Sequence, residues 1–259
     1  MIHSKLSVEI SEKIAIVKID NPPGNSLSDE VLKLLDKNFE ELNMDPFVKV
    51  IILTGAERCF STGADIKEMG NCKTAEEAKA MSVLGQKVLL NIENSRKPVI
   101  AAINGFCLGG GLELAICCHI RICSDHSVFG MPEINLGMIP AFGGSYRLPV
   151  IMGRSRAIQM ILTGEKVTAE VALATGLVNK IVPKDLVMTE AMNLAGKLTA
   201  RSSSTMGQMF KSMNKGAETD IVNAMKIESS CVGELYDMHD LVEGVHAYLE
   251  KRKPDFLDP

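Results

Sequence analysis

The sequence predicts an α/β core followed by an all-helical carboxyl-terminal region. Short apolar runs typical of buried strands alternate with amphipathic segments up to about residue 183. From residue 186 to residue 251 the pattern is almost wholly helical. The 259 residues are 46% hydrophobic and 23% charged, which is enough for one substantial core. We therefore divide the chain into a core at 1–185 and a helical region at 186–259.

The first half of the chain contains three strong strand signals and two capped helices. Apolar runs predict strands at 14–20, 48–55 and 97–106. Ser28 is a suitable N-cap for a helix between the first two strands, because its hydroxyl can accept a backbone N–H and two acidic residues follow it. Thr74 and Glu77 have the spacing of a capping box, which predicts a second helix that runs to about residue 93.

The second half of the core continues this alternation. A further strand is expected at 119–125. Thr168 then caps a helix that ends at Gly176, since glycine tolerates the left-handed conformation that often follows a helix. The segment 177–183 is expected to form the last strand before the helical region.

Composition disfavours several classes of protein. The formal net charge is −4 without a long basic run, which argues against a dedicated nucleic-acid-binding protein. No apolar run reaches the ~18 residues that a membrane span requires. The first ten residues resemble neither a signal peptide nor an Arg-rich transit peptide. We therefore expect a cytoplasmic protein that binds neither nucleic acid nor a membrane.

The thiols and imidazoles show no metal-binding pattern. The seven cysteines are odd in number and no two have C-x-x-C spacing, so we expect reduced thiols. The five histidines lack the H-E-x-x-H pairing of zinc enzymes. The sequence therefore predicts no metal site.

Three segments combine accessible backbone with carboxylates. Residues 60–69, FSTGADIKEM, follow a strong strand and contain a tight turn. Residues 104–114, NGFCLGGGLEL, place three glycines at the start of a short helix, where backbone N–H groups and a partial positive charge are available. Glu113 follows among apolar residues, and Glu133 has similar surroundings within 129–148. Amide-rich turns beside two carboxylates can stabilise an oxyanion and move protons next to it.

Each of these features alone also has a commonplace explanation. Glycine-rich turns between a strand and a helix are frequent packing devices. A single glutamate in an apolar run often belongs to a helix position that faces water. The GGG run lacks a following G-K-[ST] and has the wrong spacing for G-x-G-x-x-G, so it predicts neither a P-loop nor a dinucleotide site.

In combination, the motifs resemble those of the enoyl-CoA hydratase/isomerase (crotonase) family. The resemblance rests on 60–69, 103–115 and 129–149, and on the later LTGEKVTAEVALATGLVNKIVP and DLVEGVHAYLEKRKPDF, in family order over nearly the whole chain. It implies a crotonase-like spiral ββα core. The helical carboxyl-terminal region would then mediate oligomerisation and cover the ligand, in a homotrimer or in a dimer of trimers (a homohexamer).

The resemblance also implies the chemistry. Family members bind acyl-CoA thioesters and stabilise the thioester enolate with two backbone amides, which correspond here to Ala64 and Gly110. The family's hydratases use two glutamates, and both positions match, as Glu113 and Glu133. By analogy, Glu113 would activate the water that adds at Cβ, and Glu133 would exchange a proton at Cα. No metal and no redox cofactor is implied, since the CoA thioester is the substrate.

The two glutamates should influence each other's protonation. Apolar surroundings raise the pKa of a carboxyl group, and two neighbouring carboxylates resist being ionised together. One glutamate can then be protonated while the other serves as a base, around a shared water.

Further substrate contacts are expected near these groups, from Thr62, Ala64, Asp65, Ile66, Lys67, Met69, Leu84, Gly110 and Phe142. Of these, Met69, Leu84 and Phe142 are expected to surround the acyl tail. The family's usual Pro-Gly-x-Gly-Gly is changed at Ala141, and Tyr146 stands where a glutamine is common. These departures bear on the length and shape of the acyl group more than on the reaction class.

The leading hypothesis is a hydro-lyase of fatty-acid metabolism, of the kind that serves β-oxidation. It would catalyse the reversible syn addition of water to a trans-2-enoyl-CoA, giving a 3-hydroxyacyl-CoA. Alternatives are a Δ3-Δ2 enoyl-CoA isomerase with one glutamate, a crotonase-fold hydrolase or aromatic-degradation hydratase, and a non-catalytic scaffold or RNA-binding homologue. The presence of both glutamates disfavours the isomerase and the scaffold.

Overall fold

The computed structural model describes residues 5–257 of the chain. This range contains ten strands and eleven α-helices. The strands are β1 (Leu6–Ser11), β2 (Ile14–Ile19), β3 (Val50–Gly55), β4 (Cys59–Ser61), β5 (Val99–Ile103), β6 (Phe106–Leu108), β7 (Ile120–Ser124), β8 (Val128–Gly130), β9 (Lys166–Thr168) and β10 (Lys180–Val182). The helices are α1 (Asp29–Met44), α2 (Ile66–Asn71), α3 (Ala75–Glu93), α4 (Gly110–Cys117), α5 (Gly144–Met152), α6 (Arg154–Thr163), α7 (Ala169–Ala174), α8 (Val187–Thr199), α9 (Ser203–Ala217), α10 (Ile221–Tyr236) and α11 (His239–Leu249). Short 3-10 helices lie at Pro132–Leu136 and Lys184–Leu186.

Six strands form the main sheet, in the order β1-β2-β3-β5-β7-β10. β1 and β2 are antiparallel, and the other neighbours are parallel. Parallel neighbours need long crossover connections, and the helices between these strands lie in those connections. β3 and β5 are buried along their whole length, as expected for parallel strands covered on both faces.

Helices cover both faces of the main sheet. On one face, Leu53 of β3 belongs to the same buried cluster as Leu35 of α1 and Val88 of α3. On the opposite face, Ile52 of β3 clusters with Ala191 of α8. Strand residues alternate between the two faces, so neighbouring positions on β3 serve different cores. α8 is thus part of the packed core, although it lies beyond the sequence-based division at residue 185, which stays a prediction.

The second sheet has four short strands in the order β4-β6-β8-β9. The chain enters it three times in the same way, from β3 into β4, from β5 into β6 and from β7 into β8. Because β4, β6 and β8 are parallel neighbours, their carboxyl ends meet at one edge of the sheet. The segments that follow these strands are therefore brought together, although they are far apart in the sequence.

Most of the expected elements are confirmed. Each expected strand contains one of β2, β3, β5, β7 and β10, and residues 187–249 fold into α8 to α11. Ser28 caps α1 by accepting from Val31 N at 3.3 Å. Thr74 caps α3 by accepting from Glu77 N at 3.1 Å. The predicted α/β class with a helical carboxyl-terminal region is therefore correct. Residues 1–4 of the predicted core and residues 258–259 of the predicted helical region lie outside the described range.

One capping prediction is wrong in part. Thr168 occupies the N-cap position of α7, but its side chain makes no capping hydrogen bond to the helix backbone. Its hydroxyl interacts instead with the Glu170 carboxylate and lowers the pKa of that group. Gly176 follows the end of the helix with a φ of +78°, as expected.

Candidate active site

Three segments at one edge of the small sheet form the candidate site. They follow β4, β6 and β8, and they carry Ala64, Gly110 and Glu133 respectively. A fourth segment, the turn that leads into α5, packs against them through Phe142 and Gly144. The carboxyl ends of parallel strands are a common location for ligand sites.

Two backbone amides lie close together in this region. A Cβ atom on Gly110 would lie 3.2 Å from the Ala64 N atom, and one on Gly63 would lie 2.9 Å from the Gly110 N atom. A parallel bridge between Leu27 and Ala64 fixes the backbone of the first segment. Gly110 begins α4, where a backbone N–H has no acceptor within the helix. The two segments thus bring two backbone donors side by side.

Glu113 is buried beside these amides. It lies in the first turn of α4 and is only 1% exposed. Its Oε1 atom accepts from Phe142 N at 2.8 Å and from Gly144 N at 2.6 Å. A buried carboxyl group requires such partners, because the loss of hydration is costly. The interpretation of Glu113 as a helix residue that faces water is therefore wrong.

The pKa of Glu113 is raised to about 7. Burial is the largest cause, since it disfavours the charged carboxylate, and the negative charge of Glu133 acts in the same direction. The amides of Gly144 and Phe142 and the charge of Arg147 oppose the shift. Glu113 therefore changes its protonation state near neutral pH.

Glu133 is half-buried in the 3-10 helix Pro132–Leu136. A Cβ atom on Gly109 would lie 2.5 Å from Glu133 Oε1, and the φ of Gly109 is +51°, so this position requires a glycine. Within residues 5–257, the buried Oε2 atom of Glu133 has no hydrogen-bond partner. Burial raises the pKa of this carboxyl group too. Both glutamates thus favour the neutral form more than an exposed glutamate does.

Phe142 forms an apolar wall beside the amides. Its ring is buried and lies against two glycines that leave space for it. A Cβ atom would come within 3.1 Å of the ring on Gly110 and within 2.2 Å on Gly85 of α3. Phe142 therefore contributes an amide to Glu113 and a ring to the space next to Gly110.

The other expected substrate contacts differ in exposure. Thr62, Ile66 and Lys67 are exposed, and Met69 and Leu84 are half-buried. Asp65 is the N-cap of α2 and accepts from Lys67 N at 2.9 Å, so its carboxylate already has a structural role. Tyr146, one of the departures from the family pattern, is 71% exposed.

Two cavities lie near these residues. One of about 420 Å³ lies between α1, α2 and α3 and is lined by Leu27, Asp29, Leu32, Glu68, Asn71, Glu77, Ala80, Met81 and Leu84. It includes Leu84 but neither Met69 nor Phe142, so the three expected acyl contacts do not share this cavity. Another of about 550 Å³ is lined by residues that include Pro22, Pro23, Gly24, Arg58 and Thr62.

Sequence reasoning missed Arg147, which stands next to the site. Its guanidinium donates to the Phe142 carbonyl oxygen at 3.0 Å and to the Glu93 carboxylate. An arginine near a helix start is usually a solvated surface residue, and Glu93 is 54 positions away. The only sequence signal is a cation three residues after Gly144, in a segment that also holds a carboxylate.

The comparison with known proteins decides the family. A sequence model of the enoyl-CoA hydratase/isomerase family matches residues 9–259. The chain belongs to this family. The family membership expected from the sequence is therefore confirmed.

Individual relatives of this family agree with that assignment. The chain is 39% identical to the crotonyl-CoA hydratase of Syntrophomonas wolfei, with 99% of each chain covered. It is 40% identical to the short-chain-enoyl-CoA hydratase of Clostridium acetobutylicum, with 95% of each covered. The crystal structure of the Bacillus anthracis enoyl-CoA hydratase is 30% identical, with a TM-score of 0.94 over 98% of this chain and 100% of that one. The crotonase fold and the expectation of a hydro-lyase enzyme are thereby confirmed.

Membrane-spanning helices and metal sites were also expected to be absent from this chain. Within residues 5–257, no helix combines the length and the apolar character that crossing a membrane demands. In the same range, no three His, Cys, Asp or Glu side chains are grouped so that they could hold a metal ion. Cytoplasmic location and the lack of a cofactor stay predictions.

Proposed function

We propose that the protein is an enoyl-CoA hydratase that adds water reversibly, in the syn sense, to a trans-2-enoyl-CoA. The product would be a 3-hydroxyacyl-CoA. The observation that carries this proposal is the placement of two carboxyl groups, Glu113 and Glu133, around two neighbouring backbone amides, Ala64 and Gly110. The names of the two hydratase relatives support the same reaction.

The amides of Ala64 and Gly110 would form the oxyanion hole. Addition of water to the double bond places negative charge on the thioester oxygen as an enolate develops. Two preorganised N–H donors stabilise that charge more strongly than the neutral thioester, and one such donor is worth ~3 kcal/mol. The start of α4 adds the partial positive charge of its helix dipole.

Glu113 would be the base that activates water. The hydrogen bonds from Phe142 N and Gly144 N both go to Glu113 Oε1, which leaves Oε2 as the oxygen for a water molecule. As the water oxygen bonds to Cβ, its proton passes to Glu113. A pKa of about 7 suits this role, because a general base works best when its pKa lies near the operating pH.

Glu133 would supply the proton at Cα. Burial raises its pKa, which favours the protonated acid that this step needs. Its proton forms the new Cα–H bond as the enolate collapses, and Glu133 is left as a carboxylate. The proton that Glu113 took from water then passes to Glu133 through solvent or the shared water, so both carboxyl groups regain their starting protonation states. The net reaction is the addition of one water molecule to the enoyl-CoA.

The thioester would extend away from the amides in two directions. The CoA portion would pass the exposed Thr62, Ile66 and Lys67, with Asp65 fixing that turn, near the cavity lined by Pro22 and Arg58. The acyl portion would lie against the Phe142 ring, with Leu84 and Met69 farther out. A buried aromatic ring beside Gly110 leaves limited room, which favours a short acyl chain.

The enzyme would assemble as a trimer or as a dimer of trimers in the cytoplasm, without a cofactor. Exposed apolar side chains on α11 support an interface there, since Val245 is 50% exposed, Tyr248 83% and Leu249 71%. No nucleic acid and no membrane would take part.

The test is a panel of trans-2-enoyl-CoA substrates of increasing length, assayed by loss of enoyl-thioester absorbance with the product identified by mass spectrometry. Crotonyl-CoA should be hydrated best, and Phe142→Ala should shift kcat/KM toward longer chains by about tenfold per vacated methylene-sized space. A 3-enoyl-CoA in the same assay tests the isomerase. Rapid conversion of the 3-enoyl-CoA without hydration of crotonyl-CoA would contradict the proposal.

A further inference from the structure

The Arg147 guanidinium makes three hydrogen bonds, one to the turn beside Glu113 and two to Glu93. Its Nη1 atom donates to the Phe142 carbonyl oxygen at 3.0 Å. Its Nε and Nη2 atoms donate to the two Glu93 carboxylate oxygens at 3.0 and 2.6 Å. The Arg147 side chain is 11% exposed and that of Glu93 is 34% exposed. A two-point contact of this kind fixes the direction of the guanidinium as well as its position.

The turn is shaped to receive this guanidinium. Gly143 has a φ of +108°, and a Cβ atom there would lie 2.2 Å from Arg147 Nη1. Any side chain at position 143 would therefore be strained and would displace the arginine. The guanidinium thus packs against the middle of the turn.

The same turn holds Glu113 from its other side. Phe142 accepts from Arg147 through its carbonyl and donates to Glu113 through its N–H at 2.8 Å. Gly144, two residues on, donates the second hydrogen bond at 2.6 Å. A shift of the turn by a few tenths of an ångström would lengthen both bonds to the carboxylate.

We propose that Arg147, anchored by Glu93, is a positioning residue that holds the 142–144 turn and thereby the carboxylate of Glu113. The proposal rests on the proposed function, in which Glu113 activates water. Because the Arg147 side chain is largely buried, the loss of either partner of this ion pair would destabilise the fold whether or not the pair serves the reaction. Stability alone therefore does not distinguish the two roles, whereas a positioning residue would also change kcat.

The charges around Glu113 give this proposal a second consequence. Glu133 faces Glu113 from the 3-10 helix, Arg147 from α5, and Glu93 lies behind Arg147 at the end of α3. Cys117, on α4, has its thiol pKa raised well above the ordinary value by burial, so it stays neutral. Arg147 is the cation of this group, and its removal should let the pKa of Glu113 rise further.

Three variants distinguish the effect of the Arg147 hydrogen bonds from the effect of its positive charge. Arg147→Gln removes both the charge and the two-point contact, and Arg147→Lys keeps the charge alone. Lys211→Gln is the control, because the Lys211 ammonium donates to both carboxylate oxygens of Glu234, between α9 and α10, and so belongs to a different ion pair. With crotonyl-CoA, Arg147→Gln should lower kcat by about tenfold or more with little change in KM, since misplacement of a reacting group is costly. Arg147→Lys should lower kcat by about threefold, and Lys211→Gln should match wild type.

The pH profile distinguishes a positioning role from a structural one. A base must be deprotonated, so kcat/KM falls on the acid side of the Glu113 pKa. Arg147→Gln should move this acid limb upward by about half a pH unit or more, while Arg147→Lys should leave it near its wild-type position. Thermal melting of each variant monitors folding.

A measurement without substrate keeps the two proposals separable. The Glu113 carboxyl can be titrated by carbon-13 NMR in the ligand-free protein, with Glu113→Gln to assign its signal. If wild type hydrates no enoyl-CoA, the proposed function fails, and the titration still decides whether Arg147 acts on Glu113. If hydration occurs but Arg147→Gln keeps kcat within about twofold and an unshifted titration, the positioning role is wrong. If Arg147→Gln does not fold, an unchanged kcat in Arg147→Lys overturns it.

Discussion

At the scale of single residues, Glu113 shows how one carboxyl group can be buried and still ionise near neutral pH. Two amides of the 142–144 turn satisfy one oxygen, and burial raises the pKa to about 7. The apolar sequence around Glu113 indicated a raised pKa in advance. It could not indicate the amide partners, because Phe142 and Gly144 are brought to Glu113 only by the fold. Arg147 escaped detection for the same reason.

The raised pKa of Glu113 has a consequence for stability. Its value of about 7 in the folded state lies above the ordinary 4.5, so between these pH values the folded protein binds more protons than the unfolded chain. The free energy of unfolding must then fall as pH rises through this window. Glu113→Gln keeps an oxygen acceptor for the two amides and removes the charge. The variant should exceed wild type by roughly 2–3 kcal/mol at pH 8, with little difference below pH 4.

Urea unfolding at several pH values measures this difference. Glu228→Gln, on the exposed surface of α10, is the matched control and should follow wild type throughout. A Glu113→Gln advantage that does not change with pH would contradict the burial of an ionisable carboxyl group.

At the scale of elements, three short parallel strands place the site. β4, β6 and β8 have three residues each, and their carboxyl ends carry Ala64, Gly110 and Glu133 into one region. β2, β3 and β5 of the main sheet were predictable because each lies in a long apolar run. The strands of the small sheet have three residues each, which is too short to show a period of two, so this sheet was not predicted. β1 was missed as well, since its second half is exposed and polar in part.

The start of α4 is the element most directly tested by substitution. Gly110→Val should abolish hydration while the protein still folds, because a side chain there meets the Phe142 ring at 3.1 Å and the Ala64 N atom at 3.2 Å. The two methyl groups of the valine would occupy the space of the thioester oxygen. Gly70→Val in α2 is the control, since a Cβ there has no heavy atom within 4 Å apart from the adjoining residues and the backbone of its own helix. Circular dichroism checks folding, and a folded, fully active Gly110→Val would mean that the oxyanion hole lies elsewhere.

At the scale of the whole molecule, the helical carboxyl-terminal region combines two roles. α8 completes the core on the second face of the main sheet, as its buried Ala191 and Ala195 show. α11 instead presents apolar side chains to solvent in the single chain. Beyond it, Arg252 is paired with Glu243 at 2.6 Å, which leaves Lys251 and Lys253 as the more available cations of the basic end. Sequence pattern predicted helices here but could not distinguish a core helix from a surface one, since both are amphipathic.

The exposed face of α11 predicts a dependence of assembly on its apolar side chains. Val245→Glu combined with Tyr248→Glu should lower the mass measured by analytical ultracentrifugation, because buried unpaired carboxylates are costly at an interface. Thr189→Glu combined with Asn193→Glu, both on the exposed surface of α8, adds the same charge as a control. An unchanged mass in the double variant would remove α11 from the interface.

The most direct test of the two-carboxylate mechanism is the rate of crotonyl-CoA hydration by Glu113→Gln and by Glu133→Gln. Each variant keeps the shape of its side chain and loses the ability to exchange a proton. Positioned proton transfer contributes ~10²–10⁴-fold, so each rate should fall by that factor, and the double variant should be little worse than either single one. If wild type hydrates crotonyl-CoA and either variant does so at a near-normal rate, the two-carboxylate mechanism is wrong.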